Sequence, residues 1–314
     1  MAEHLKFHTM HSTASTEAFS LVPEEFLLEK VSPIWQQRFE RALEIIFQHI
    51  EQPISWNQIA CEAAISPHHF HRMFLAVFSE TPGQYTRRLR IGLAFEKLLE
   101  DENQSITDIA LSSGFSSSQA LAKAMKRDIG YSPSQVRALV TEDQDELERL
   151  IYLLSYPQKA IPENMEDQLA AAIPFEVIGF DTRYFKMEIK TNASEKQLKN
   201  SWEKLKQYPQ QDLAIITANS ELERPIYKIT SSIGVECDKD QANTILPAAD
   251  FLCCRVRIST EGGYLAAWDA LYKYLLSQGL EPNDQGVTLD VIHNPAQLGD
   301  EICEMTLALE LSKH

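Results

Sequence analysis

The chain has 314 residues, 44% of them hydrophobic and 24% charged, which fits two soluble globular domains with full cores. No apolar run approaches the eighteen or so residues of a membrane span, and the first twenty residues lack the basic-then-apolar order of a secretory signal. Five scattered cysteines argue for reduced thiols rather than a disulfide framework. The net charge of −16 sits awkwardly with a nucleic-acid partner, but it is uneven: residues 34–140 carry 11 Lys+Arg and 11 Asp+Glu, and most of the acidic excess follows them.

Residues 1–33 are polar and read as a flexible or loosely docked arm. His4, His8 and His11 have no Cys or acidic partner at ligand spacing, so they read as a solvated tail and no metal site is expected. From Trp35 to Ile50 the apolar positions Phe39, Leu43, Ile46 and Ile50 predict a helix that Pro53 stops. Ser55-Trp56-Asn57-Gln58 is a capping-box pattern that starts a short helix. Ser66-Pro67, a cap followed by proline at the first helical position, opens the next one. In that helix Phe70, Met73, Phe74 and Val77 form one face, and His68, His71, Arg72 and Leu75 the opposite one. Thr81-Pro82 opens a long helix to about Glu100, carrying Arg87, Arg88 and Arg90.

The unit then repeats about fifty residues on. Ser105-Ile106-Thr107-Asp108 is a second capping-box pattern, and Ile59-Ala60 recurs as Ile109-Ala110. Gly114 supplies the turn, Phe70, Arg72 and Phe74 recur as Leu121, Lys123 and Met125, and Thr81-Pro82 recurs as Ser132-Pro133. A repeat of this length is one supersecondary unit built twice, and each copy has the proportions of a helix-turn-helix.

Arg90-Ile91, Ile109-Ala110, Gly114-Phe115, Met125-Lys126 and Gly130-Tyr131-Ser132-Pro133 resemble the signature of AraC/XylS-type transcription regulators. The resemblance covers about a hundred residues and implies a double helix-turn-helix domain over 34–140. In such a domain two recognition helices, joined by a rigid helix, enter successive major grooves of double-stranded promoter or operator DNA. A linker of about seventeen residues spans roughly 25 Å, against about 34 Å between grooves. Carried over position by position, the resemblance makes His68, His71 and Arg72 the base readers of the first unit. Ser118, Gln119 and Lys123 are their counterparts in the second, and Ser66, Tyr85 and Ser105 are phosphate contacts. Met125, Ala120 and Ala122 depart from the family pattern and point to a second unit that mainly positions.

Residues 141–169 read as an acidic helical linker, with Leu147, Leu150, Ile151 and Leu154 at helical spacing. Residues 170–314 change character. Strand patterns run over residues 175–185, Leu213–Thr217, Ile226–Val235, Phe251–Ile258, Gly286–Ile292 and Ile302–Leu311. Helical patterns run over Ser194–Tyr208 and Gly263–Leu276, so the order is α+β. Ala266-Ala267-Trp268-Asp269-Ala270-Leu271-Tyr272 and Glu304-Met305-Thr306-Leu307 resemble the GyrI-like effector-binding domain. That resemblance implies a duplicated SH2-type motif and, with the reader before it, a Rob-type arrangement of regulator. It further implies a cleft for a small lipophilic or cationic effector, with Glu304 as anion and Tyr264, Trp268 and Tyr227 around it. A regulator of this kind is expected in the cytoplasm at the nucleoid, acting on RNA polymerase, off the membrane, with no cofactor and no catalysis. Two alternatives stay open: a hydrolase using Glu304 with Tyr227, and a thiol sensor at Cys253 and Cys254.

Overall fold

The structure, a computed structural model, describes residues 17–52, 54–100, 103–155, 165–191, 195–205, 212–222, 224, 229–297 and 302–312. The N-terminal half is helical: α1 (Pro23–Leu28), α2 (Pro33–Gln48), α3 (Trp56–Glu62), α4 (Pro67–Phe78), α5 (Pro82–Glu100), α6 (Ile106–Ser112), α7 (Ser118–Asp128), α8 (Pro133–Glu142), α9 (Gln144–Ser155) and α10 (Met165–Ala170). Proline opens α1, α2, α4, α5 and α8, where its missing N–H is no loss. Serine hydroxyls cap α3, α6, α7 and α8 by accepting a backbone N–H two or three residues into the helix. The pattern at Ser55 forms only half a capping box, because the Gln58 amide donates to Glu62 instead of reaching back. Complete boxes stand at Thr81 and Gln84, where α5 begins, and at Ser132 and Gln135.

Two aromatic-to-aliphatic cores result. The first unit packs Phe39, Phe70, Phe74, Phe78 and Tyr85, with the Phe74 and Phe78 rings 4.5 Å apart. Burying each ring contributes roughly 1.5–3 kcal/mol. The second unit packs Ile109, Leu121, Met125 and Val136 with Leu147, Leu150 and Ile151 of α9, so the acidic helix is part of that core. Helix α5 threads both cores: Tyr85 belongs to the first, Ile91, Phe95 and Leu98 to the second. At 19 residues it is roughly 28 Å long.

The C-terminal half is one sheet built from two similar halves. One runs β3 (Arg183–Thr191), α11 (Glu195–Leu205), β4 (Leu213–Ala218), β5 (Thr230–Glu236). The other runs β7 (Ala249–Ile258), α12 (Glu261–Gln278), β8 (Val287–Ile292), β9 (Cys303–Glu310). Within each half the last strand lies between the other two, and β4 and β8 join the halves antiparallel at the centre. A short β6 (Thr244–Leu246) edges β3, and β2 (Glu176–Phe180) pairs with β7. The single strand expected from residue 175 is thus two strands in different halves, broken at Asp181-Thr182. Helices α11 and α12 bury Leu198, Leu205, Ala267 and Leu271 against the same face of the sheet.

The described part of the N-terminal arm departs from the expectation of flexibility. Phe19–Ser20 forms β1, parallel to β7 along the stretch that β2 leaves unpaired. Leu21 is fully buried in the sheet core and Leu28 in the first helical core. Glu25 accepts two hydrogen bonds from Arg257, at 3.0 and 2.7 Å. Apolar anchors in two cores and a charge pair between them account for the ordering.

Candidate nucleic-acid interface and a buried carboxylate

Helix α4 turns Phe70 and Phe74 inward, which leaves His68, His71, Arg72 and Leu75 exposed on the opposite side. The face is therefore basic and polar with one aliphatic side chain, the composition that reads base edges and thymine methyls. Ser66 is exposed ahead of it, and its hydroxyl makes no cap bond. In the second unit Gln119 and Lys123 are exposed on α7, and Ser118, half-buried at its first turn, donates to the Gln119 side chain at 3.4 Å.

One expected phosphate contact is corrected, and a second is engaged in its own helix cap. Tyr85 is fully buried in the first core, and its hydroxyl donates to Glu24 at 2.9 Å. The ring is more valuable there, packed against Phe74, than at a wet surface. Ser105 is exposed, but its hydroxyl closes on Asp108, accepting from the backbone N–H and donating to the carboxylate at 2.7 Å. That adjoining carboxylate repels a phosphate.

In the C-terminal half Tyr264 and Trp268 lie together on α12, their ring centroids 6.4 Å apart. Glu304 is not with them. Met305 and Leu307 face α12, so Glu304 falls on the other side of the sheet, where it accepts from Arg255 Nε at 2.8 Å. Tyr227 lies outside the described residues. The carboxylate that does meet this pair, through Tyr264, is Asp290 on β8. Tyr264 donates to its Oδ2 at 2.8 Å, and its Oδ1 is buried with no hydrogen-bond partner among the described residues. Burial pushes the Asp290 carboxyl up to about 7, partly opposed by the Tyr264 hydroxyl, and pushes Tyr264 well above its ordinary value. The signal in the sequence was the single acid inside the apolar strand Val287-Thr288-Leu289-Asp290-Val291-Ile292.

Neither alternative chemistry gains from this geometry. Cys253 and Cys254 are buried on opposite faces; burial raises both thiols, Cys254 to about 12, away from the thiolate that a sensor needs. Glu304 is engaged by Arg255.

Comparison with known proteins places the helical half. The helix-turn-helix domain family matches residues 59–139. Regulatory protein SoxS of Salmonella typhimurium is 33% identical over 102 residues, which is 32% of this chain and 94% of that protein. The chain belongs to the AraC family of DNA-binding transcriptional regulators. The HTH-type transcriptional activator RhaS of Escherichia fergusonii is 35% identical over 89 residues, 28% of this chain and 32% of RhaS. A solved DNA-binding domain of AdpA in complex with target DNA is 27% identical, covering 32% of this chain and 90% of that one, with a TM-score of 0.30.

In this AraC-family chain the DNA reader and the sheet meet at a polar junction. Arg88 of α5 is buried; it donates to Glu80 and to the carbonyls of Leu154 and Ser155 at the end of α9. The Ser155 hydroxyl in turn accepts from the N–H of Gly262, in the first turn of α12, at 3.2 Å. A side chain at Gly262 would collide with Ser155, so only glycine permits this approach. Thr260, capping α12, donates to Glu166 of α10, whose carboxyl burial raises to about 7. Two residues beyond Gly262, Tyr264 holds Asp290.

Proposed function

We propose that this regulator reads operator DNA with α4 and α7 and senses a small organic cation at Asp290, its C-terminal half serving as a GyrI-like effector-binding domain. The observation that carries the sensing role is a buried carboxylate that Tyr264 of the aromatic pair bonds, with its other oxygen unsatisfied among the described residues. An aromatic-lined anion attracts a lipophilic cation and gives little to a neutral molecule of the same size. The junction supports a route from ligand to DNA: engagement of Asp290 displaces Tyr264 and so the first turn of α12, which is bonded through Ser155 to Arg88 of the linker helix. Such a protein acts at promoters in the cytoplasm, with RNA polymerase as the partner whose recruitment it changes.

Two measurements test the two halves of this reading. Arg72, the exposed guanidinium on α4, pairs with a guanine edge. Arg72→Ala is expected to weaken binding to the best site by about 1–3 kcal/mol and to relax preference at one base position. Full affinity and unchanged preference in that variant would remove α4 as the reading helix. For the sensor, calorimetric titration of the full chain compares tetraphenylphosphonium with neutral triphenylphosphine oxide. Asp290→Asn is expected to weaken the cation about tenfold or more and to leave the neutral compound unchanged, while Glu304→Gln changes neither. Equal losses for both compounds, or a loss only in the Glu304 variant, would place the anion elsewhere.

A further inference from the structure

The two reading helices belong to separately packed cores, and the first core grips only the N-terminal part of the linker helix α5. A small polar contact ties one unit to the other at the linker. Arg90, midway along α5, donates from Nε to the carbonyl of Ile50 at 2.6 Å and from Nη2 to that of Gln52 at 2.8 Å. Both carbonyls lie just past the C-terminal end of α2, where a cation is favoured. Gly114, the turn residue between α6 and α7, seats on the same spot. It has φ +77, and a Cβ there would lie 2.6 Å from the Ile50 oxygen and 2.7 Å from Arg90 Nε. First unit, linker and second unit therefore meet at one guanidinium.

Neighbouring cations of α5 extend the contact. Lys97, two turns further on, donates to the carbonyl of Ser112 at the end of α6 at 2.6 Å and pairs with Glu51 at 3.5 Å. Arg87 donates to Asp128 at the end of α7 at 2.6 Å. The corresponding turn in the first unit has Ala64 at φ 54, an exposed residue, so the close seating is special to Gly114.

We propose that Arg90, with Gly114 seated against it, is a positioning residue that sets the base-pair spacing this protein accepts between its two half-sites. One base pair added between half-sites rotates the second by about 35° and moves it by about 3.4 Å. A clamped pair of readers must then give up one groove, whereas a hinged pair follows the DNA.

The full chain first selects duplexes from a random pool, and the best duplex is remade with one or two base pairs inserted between the halves and as isolated half-sites. The parent is expected to lose about tenfold or more per inserted base pair. Arg90→Ala is expected to bind the selected duplex about three- to tenfold more weakly, to lose under about threefold per insertion, and to bind half-sites as the parent does. Lys97→Met is expected to lie between them. Helicity and melting temperature are followed in each variant. If Arg90→Ala does not fold, Arg90→Lys, which keeps the charge and one carbonyl bond, is read by the same spacing series. A variant that folds yet keeps the parent's penalty per insertion, or that loses affinity equally for half-sites and full sites, would overturn the proposal.

Discussion

Replacing Arg88 by alanine is expected to destabilise the folded chain by about 3–5 kcal/mol, the cost of breaking a buried ion pair from one side. Arg88 is 8% exposed, pairs with Glu80 at 3.1 Å, and lies over the Tyr85 ring, 5.1 Å from its centre. Glu24 is half-buried beside it, its carboxyl raised by burial and held down by the Arg88 charge. Alanine would leave Glu80 and Glu24 without that cation and would free the carbonyls of Leu154 and Ser155. Arg88→Ala with Glu80→Leu should recover part of the loss, because both ends of the pair are then gone. Urea unfolding followed by helix content and by tryptophan fluorescence gives the free energy. A loss below about 1 kcal/mol would mean the junction is solvated and that Arg88 is no keystone. Since Arg88 also ties α5 to α9, the variant is further expected to separate the unfolding of the two halves.

Stability is expected to fall as pH rises from about 4 to 8, and Asp290 is the main cause. Its carboxyl sits at about 7 in the fold against an ordinary 3.8, and Glu166 sits at about 7 against 4.5. In the unfolded chain both ionise near pH 4. Between there and pH 7 the folded state therefore holds protons that the unfolded state has released. Stability is complete below the unfolded value and is lost as pH rises through the folded one. For Asp290 the loss is about 2–4 kcal/mol. Asp290→Asn removes that share, so the variant should be more stable than the parent at pH 8 by a similar amount and flatter across the window. Urea midpoints at pH 4.5, 6 and 7.5 check it, and a variant with the parent's slope would refute it. The same linkage bears on sensing: a cation that binds ionised Asp290 must release a proton near neutrality, which calorimetry in buffers of different ionisation enthalpy detects.

The doubled helical unit was legible because its determinants are local. Proline openings, serine caps, the turn glycine and apolar residues at helical spacing all act within four residues of one another, and they specify helices wherever the chain goes. The exposure of His68, His71 and Arg72 followed from the same periodicity, once Phe70 and Phe74 claimed the core. Most strands and helices of the C-terminal half were readable for the same reason, apart from the break at Asp181-Thr182 and the short β6.

What only the tertiary structure decided was direction and partnership. Tyr85 reads as a polar-tipped residue near a helix start, and its hydroxyl turned inward because Glu24, 61 residues earlier in the chain, waits there. Two residues of the arm became a strand because β7 left an edge open, and the arm is held by a carboxylate and a guanidinium 232 residues apart. Alternation along β9 put Glu304 and Met305 on opposite faces but could not say which face α12 would cover; the helix covers the apolar side, and Glu304 went to Arg255. Asp290 was visible as an acid in an apolar strand, yet its meaning comes from Tyr264 on a neighbouring helix. Periodicity fixes which side chains share a face, while the choice of buried face and of buried partner is a long-range matter of packing and charge, and that choice made the candidate site.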